Sequence, residues 1–331
     1  MMKKKLVPLL FSLLLFACTG KRSVLQKRFF RMDTITDISI VVENSRNIKD
    51  IWNSVDSLLT DWEQKYSIES EHSEVKILNN RTDSVMPVKS PLKEIISAAL
   101  QYGDTLDGGF DFTILPVKVL WGFGENAVED STIPSPEQIK SALSAVDYKK
   151  VRISGDSVYF SSTDTRIDVG GIAKGFVLRE VAGFLESKKI QNYLISAGGD
   201  IVSKGKRADG KSWRVGIQHP RTGRMVGVFE IDSGSVVTSG DYERFRIVQG
   251  KRYHHIFNPK TGYCSDANQS VTIYGKDPVE VDVLSTGLFG RSAPDILKFV
   301  NERPRLECVI VDSGGTIWIS DGWKNRIELI K

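Results

Sequence analysis

Tyr193-Leu194-Ile195-Ser196, Trp213-Arg214-Val215-Gly216-Ile217, Val226-Gly227-Val228-Phe229-Glu230-Ile231, Arg244-Phe245-Arg246-Ile247-Val248 and Tyr253-His254-His255-Ile256-Phe257 succeed one another in the second half of the chain. Each is a short run rich in β-branched and aromatic residues, and glycine-, serine- and lysine-bearing stretches separate them, the pattern of strands joined by turns. Strands that mostly follow strands build antiparallel sheet. The fold class is therefore α+β, largely antiparallel sheets with packed helices, rather than a doubly wound parallel sheet. No G-x-G-x-x-G follows a strand, which excludes a dinucleotide-binding fingerprint.

Upstream, Val151–Ile153, Val158–Ser161 and Arg166–Val169 read as short strands of a meander, and Ile35–Val42 as another strand. Ile172–Lys188 is helical, with Ile172, Phe176, Val181 and Phe184 on its core face. A further helix carries the stripe Ile48, Ile51, Trp52, Val55, Leu58, Leu59, Trp62 and Tyr66 at 3–4 spacing. Ser90-Pro91 and Ser135-Pro136-Glu137-Gln138 are helix starts, serine as cap and proline at the first turn. Downstream, Asp277-Pro278-Val279-Glu280 opens a helix with a capping box, Ser292–Asn301 is another, and Cys308–Val311 with Thr316–Ile319 forms a hairpin.

The 331 residues, 40% hydrophobic and 26% charged, suit a globular protein with a sizeable core. The first residues are a leader. Met1–Lys5 is basic and Leu6–Ala17 is apolar but shorter than a membrane span. It ends in Leu15-Phe16-Ala17-Cys18, a lipobox-like spelling that makes Cys18 the lipidated first residue of the mature chain. The organisation is thus a signal peptide over 1–17, a polar tether over 18–31 and one domain over 32–331. Taking Lys3, Lys4 and Lys5 from the net charge of +4 leaves +1, which gives no basis for nucleic-acid binding. A disulfide between Cys264 and Cys308 is open in an oxidising compartment.

Four stretches carry chemistry. Asp168-Val169-Gly170-Gly171-Ile172-Ala173-Lys174-Gly175 runs from strand to helix; paired glycines admit close backbone approach, and the helix start suits an anion. Asp282, Ser285 and Thr286 lie at i, i+3 and i+4 on one helix face, an all-oxygen set that suits a hard ion such as Mg²⁺, unless that face is simply solvated. In Thr238-Ser239-Gly240-Asp241-Tyr242 and the later Tyr253-His254-His255-Ile256-Phe257-Asn258-Pro259-Lys260-Thr261-Gly262, strand alternation turns the two histidines to opposite faces, one toward a site and one toward solvent. Gly108-Gly109-Phe110-Asp111-Phe112-Thr113 leads into Leu120-Trp121-Gly122-Phe123-Gly124, whose rings either stack on an aromatic ligand or pack the core.

In order and spelling these stretches, with Ser-Ala-Gly-Gly-Asp (196–200) and Asp-Val-Leu-Ser-Thr (282–286), resemble the ApbE family from about Met32 to Phe289. The resemblance implies a T-fold-like α+β architecture and Mg²⁺-dependent transfer of FMN from FAD to a threonine hydroxyl of a target protein, with AMP released. It implies a threonine-bearing subunit of a membrane redox complex as acceptor, and a membrane lipoprotein facing the periplasm. Carried over by position, it assigns flavin contacts to Met32, Gly109, Phe110, Asp111, Asp168, Lys174 and Ile256. Mg²⁺ ligation falls to Asp282, Thr286 and backbone oxygens at Gly171 and Ser285, and catalysis to His255. Asp33 stands where the family usually has glycine, Glu69 where it often has tyrosine, Gly171 where alanine or threonine is common, and Asn258 where aspartate is frequent. Two other readings share the same residues: an FAD pyrophosphatase that yields FMN and AMP, and a non-enzymatic flavin-binding lipoprotein.

Overall fold

The computed structural model describes residues 22–43, 47–68, 70–123 and 132–330. Met1–Ala17, Cys18, Glu69 and Gly124 lie outside them.

A turn at Met32-Asp33 folds Ser23–Arg31 (β1) onto Thr34–Val42 (β2), paired from Ser23↔Val42 to Arg31↔Thr34. The expected tether is thus strand from Ser23 onward. Its sequence hides this because β1 is an edge strand facing solvent, and Phe29 is its one buried side chain. The helices Ile48–Tyr66 (α1), Glu74–Asn79 (α2), Leu92–Thr105 (α3), Leu115–Leu120 (α4) and Pro136–Leu143 (α5) follow, with Val85–Pro87 (β3) between α2 and α3. Ser135 and Gln138 close the expected capping box on α5. At α3, by contrast, Pro91 occupies the cap position and no side chain caps the helix.

Val151–Ser154 (β4) and Ser157–Phe160 (β5) complete a three-stranded sheet with β3. The strand expected over Arg166–Val169 does not form. Asn79 takes both backbone groups of Ile167, with its Nδ2 donating to the carbonyl at 2.8 Å and its Oδ1 accepting from the N–H at 2.7 Å, and so replaces a strand partner. After Ala173–Ser187 (α6) the strand-rich half begins: Tyr193–Ala197 (β6), Asp200–Lys204 (β7), Trp213–Gln218 (β8), Met225–Ile231 (β9), Ser233–Gly240 (β10), Phe245–Val248 (β11), Lys251–His254 (β12) and Asn268–Gly275 (β13). The chain ends with Pro278–Gly287 (α7), Ala293–Asn301 (α8), Glu307–Asp312 (β14), Ile317–Ile319 (β15) and Glu328–Leu329 (β16).

The main sheet has the order β1-β2-β6-β7-β10-β13-β14-β15, and every pairing is antiparallel. It is covered on both faces. Cys308, Ile310 and Val237 point into a core shared with α1, α3, α6, α7 and α8. Their neighbours Val309, Val311 and Val236 meet Trp213 and Phe229 from the small β16-β9-β8 sheet and Trp323 from the turn that precedes β16. Burial on both faces explains why strands such as Cys308–Val311 are apolar at successive positions. A third cluster, around Trp121, Tyr253 and Phe257, seats the β11–β12 hairpin on α4 and α5. Cys264 and Cys308 are both free thiols. Among the described residues no helix is long and apolar enough to cross a membrane.

Candidate functional site

A cleft of about 620 Å³ opens where the β1–β2 turn, the Gly109–Phe112 loop, the start of α6, the end of β10 and the segment after β12 converge over α7. All the residues assigned to flavin line it: Met32, Gly109, Phe110, Asp111, Asp168, Lys174 and Ile256. His255, Gly171, Asp282 and Thr286 line it as well. Ser285 does not; it is fully buried behind the wall.

The floor depends on close contact between α6 and α7. A Cβ on Gly175 would sit 2.6 Å from the Pro278 carbonyl oxygen and 2.7 Å from Val279 Cα, so only glycine lets the helices meet. The contact brings the Gly175 N–H to Asp282 Oδ2 at 2.8 Å. The polar face of α7 is therefore not solvated: Asp282 is 3% exposed and Ser285 0%. Ser285 Oγ donates to the Asp282 carbonyl at 2.9 Å, and Ser239 Oγ lies 2.9 Å from Ser285 Oγ and 3.1 Å from Thr286 Oγ1. Burial pushes the Asp282 carboxyl up, against the pull of Lys174 and the Gly175 N–H. Lys174 pairs with Asp200; burial alone would lower its ammonium, but Asp200 and Asp282 together hold it raised.

This donor set fits Mg²⁺. It offers a buried carboxylate, a threonine hydroxyl and the Gly171 backbone, where a built Cβ lies 3.5 Å from Thr286 Cγ2. These are oxygen donors of the kind a hard cation takes. Asp200 and Asp282 both lie beside the Lys174 ammonium, and a cation bound here would favour the charged form of Asp282, which burial disfavours. Among the described residues no three His, Cys, Asp or Glu side chains converge as a metal cluster. A cation here would rest on a single carboxylate with hydroxyl and carbonyl oxygens, as the sequence assignment requires.

On the opposite wall, β12 ends at His254 and the chain turns through His255. Alternation holds, but not with one histidine in solvent. His254 is 4% exposed, donates from Nε2 to the Ser265 carbonyl at 2.7 Å, accepts the Ile256 N–H at Nδ1 and lies edge-on to Phe289. It is a structural residue, and the expectation of a solvent-facing ring is corrected: Ser265 and Phe289, two residues past the end of α7, cover that side of the hairpin. His255 Nδ1 lies 3.2 Å from the Arg244 carbonyl, which can only accept, so Nδ1 carries the proton and Nε2 is the basic nitrogen. Burial and the nearby Lys118 push the imidazole down to about 3, so it is neutral at pH 7.

Asp168 accepts the Gly170 N–H at 2.7 Å and pairs with Lys118. Burial would raise its carboxyl, but Lys118 outweighs this and holds it below the usual range. The Asp111 carboxylate is occupied within the protein, accepting from Thr113 N and Oγ1 and from Tyr148 N. It braces the loop that carries Gly109 and Phe110. Asp33, where glycine is the family habit, holds φ 52°, a left-handed turn that aspartate tolerates better than most residues. Trp121 is fully buried against Tyr253 and belongs to the core, whereas Phe123 reaches the cleft.

Four residues escaped the sequence assignment. Asp200 and Ser239 stand in stretches already singled out, yet only the fold shows that one pairs with Lys174 and the other bridges to Thr286. Arg244 holds His255 through its carbonyl. Lys118 reaches Asp168 from α4, a short helix whose sequence marks no site.

The fold is that of the ApbE proteins. The structure superposes on an ApbE protein from Thermotoga maritima with a TM-score of 0.83 at 32% identity, covering 92% of this chain and 99% of that one. It superposes on the flavin transferase ApbE from Vibrio cholerae with a TM-score of 0.84 at 26% identity and the same coverage. The ApbE family model matches residues 32–310, and the chain belongs to the ApbE family. Curated relatives include the FAD:protein FMN transferases of Vibrio cholerae, 28% identical over 98% of both chains, and of Haemophilus influenzae, 29% identical over 83% of this chain and 82% of that one.

Proposed function

We propose that this chain is a FAD:protein FMN transferase that moves FMN from FAD to a threonine hydroxyl of a target protein. The observation that carries this reading is one cleft holding both the Asp282–Thr286 oxygens and a neutral His255. The acceptor threonine Oγ attacks the FMN-side phosphorus, and its proton passes to His255 Nε2. The bond from that phosphorus to the bridging oxygen breaks, AMP leaves with the oxygen, and FMN stays joined to threonine by a phosphoester. Lys174, which lines the cleft at the start of α6, would favour the charge of the diphosphate. Asp282, Thr286 and the Gly171 carbonyl, with Ser285 behind them, would hold Mg²⁺, which when bound supplies charge neutralisation at the diphosphate. The lipobox-like spelling at Cys18 supports a lipid-anchored protein facing the periplasm, with a membrane redox-complex subunit as acceptor.

The test is to incubate the protein with FAD and Mg²⁺, with and without a threonine-bearing acceptor, and to follow flavin fluorescence on the acceptor in a gel beside AMP release. Labelled acceptor and matching AMP are expected, both lost when the threonine is alanine. Free FMN and AMP with no labelled acceptor would move the assignment to a pyrophosphatase, and unaltered FAD would leave a flavin-binding protein.

A further inference from the structure

A transferase that acts on proteins needs a surface for its large substrate as well as a cleft for its small one. The β1–β2 hairpin offers such a surface at the cleft rim. On its solvent face the cross-strand pairs run Gln26–Ser39, Arg28–Asp37 and Phe30–Ile35 toward the turn. The first two pairs satisfy each other, by a hydrogen bond of 3.0 Å and an ion pair of 2.7 Å. The third is apolar and bare: Phe30 is 64% exposed and Ile35 46%, although Phe29 beside it is buried. Two residues further on, Met32, Asp33 and Thr34 line the cleft.

The tip is fixed rather than loose. Arg31 pairs with Asp56 at 2.7 Å and donates to Thr60 at 2.9 Å, while the Met32 N–H donates to Glu63 at 2.6 Å. An exposed aromatic beside a branched aliphatic, held rigidly at the edge of a reaction cleft, has the character of an interface anchor. A membrane is the poorer occupant, because the bare pair sits at the far end of β1 from Ser23, where the chain comes in from Cys18. Nine strand residues, roughly 30 Å, separate the two ends.

We propose that Phe30 and Ile35 form the docking anchor for the acceptor protein, which seats an apolar recess on the pair and thereby presents its threonine to His255. This rests on the transferase reading. The probes are a folded acceptor protein that the wild-type chain labels and a short threonine peptide cut from it, too small to span from the cleft to the pair.

Phe30→Ser and Ile35→Ser should each raise the KM for the folded acceptor about tenfold, the scale of one interface anchor, with kcat and FAD binding unchanged. The peptide should be labelled as by wild type, Phe30→Leu should restore the KM, and Gln26→Ala on the same face should have no effect. An unchanged KM for the folded acceptor overturns the proposal. So does an equal loss with protein and peptide, which marks a structural defect, or a loss confined to binding of anionic phospholipid vesicles, which marks a membrane contact. A wild-type chain that labels no acceptor brings down the transferase reading itself, and that outcome appears before any variant is made.

Discussion

Replacing Gly175 by alanine tests whether the α6–α7 contact sets the position of Asp282. In a helix interior the change would by itself stabilise by about 1 kcal/mol, since alanine is the better helix former. Here the new Cβ would lie 2.6 Å from a backbone oxygen, where ordinary contact is 3.4–4 Å. Backbone cannot swing aside as a side chain can, so the two helices must part by about 0.8 Å, and packing strain of this kind costs about 1–3 kcal/mol. Parting them also stretches the Gly175 N–H to Asp282 bond, and a hydrogen bond to a buried charged group contributes about 1.5–3 kcal/mol. The net expectation is a loss of roughly 2–5 kcal/mol, with the sign reversed from the helix propensity alone. At about 2 °C per kcal/mol for a chain of this size, the melting midpoint should fall by roughly 4–10 °C. Calorimetry or circular dichroism measures this, and a Mg²⁺ titration of turnover should show a weakened metal requirement curve in the same variant. A protein that melts at or above the wild-type temperature with an unshifted Mg²⁺ titration would refute the reasoning.

Asp282→Ala should abolish Mg²⁺-dependent turnover while α7 stays folded, read from activity across a Mg²⁺ series beside far-UV circular dichroism; full activity at limiting Mg²⁺ would remove Asp282 from the site. His255→Ala should lower FMN transfer by about 10²–10⁴-fold yet keep FAD binding, whereas His254→Ala should lower the melting temperature, because it leaves the Ser265 carbonyl and Ile256 N–H unpaired. For His255 the folded pKa lies near 3, below the ordinary 6.5, so between those values the folded state binds fewer protons than the unfolded. Its contribution to stability therefore falls as pH drops from 6.5 toward 3, and kcat/KM should show no imidazole inflection at 6.5; an inflection there that disappears in His255→Ala would contradict the neutral ring. Cys18→Ser should release the protein from the membrane fraction, and retention after a high-salt wash would exclude lipid as the anchor.

Helix geometry alone sets Asp282, Ser285 and Thr286 on one face and leaves open whether that face binds an ion or meets water. It was the order and spelling of the motifs together, in their resemblance to the ApbE family, that assigned the site residues. What periodicity could not say was whether the polar face of α7 met water or protein, since that depends on Gly175, more than a hundred residues away. The ion pairs of Asp200 with Lys174 and of Asp168 with Lys118 join separate elements and leave no trace in spacing. The strand expected over Arg166–Val169 failed for a similar reason: Asn79, on a different helix, took over the backbone bonds of Ile167. β1 was invisible because an edge strand facing solvent has little alternation to show.

The early start of β1 changes how the proposed anchor would work. With lipid on Cys18, only five residue steps separate it from the paired strand at Ser23, at most about 18 Å. A coil running to Arg31 would let a lipid-anchored body wander; a strand built into the main sheet would give it a fixed address just above the bilayer. Encounter with an acceptor in the same membrane then becomes a search in two dimensions, governed by the number of acceptors per unit area rather than per unit volume. Labelling would slow on dilution of the acceptor within the lipid and stay constant when the vesicles themselves are diluted.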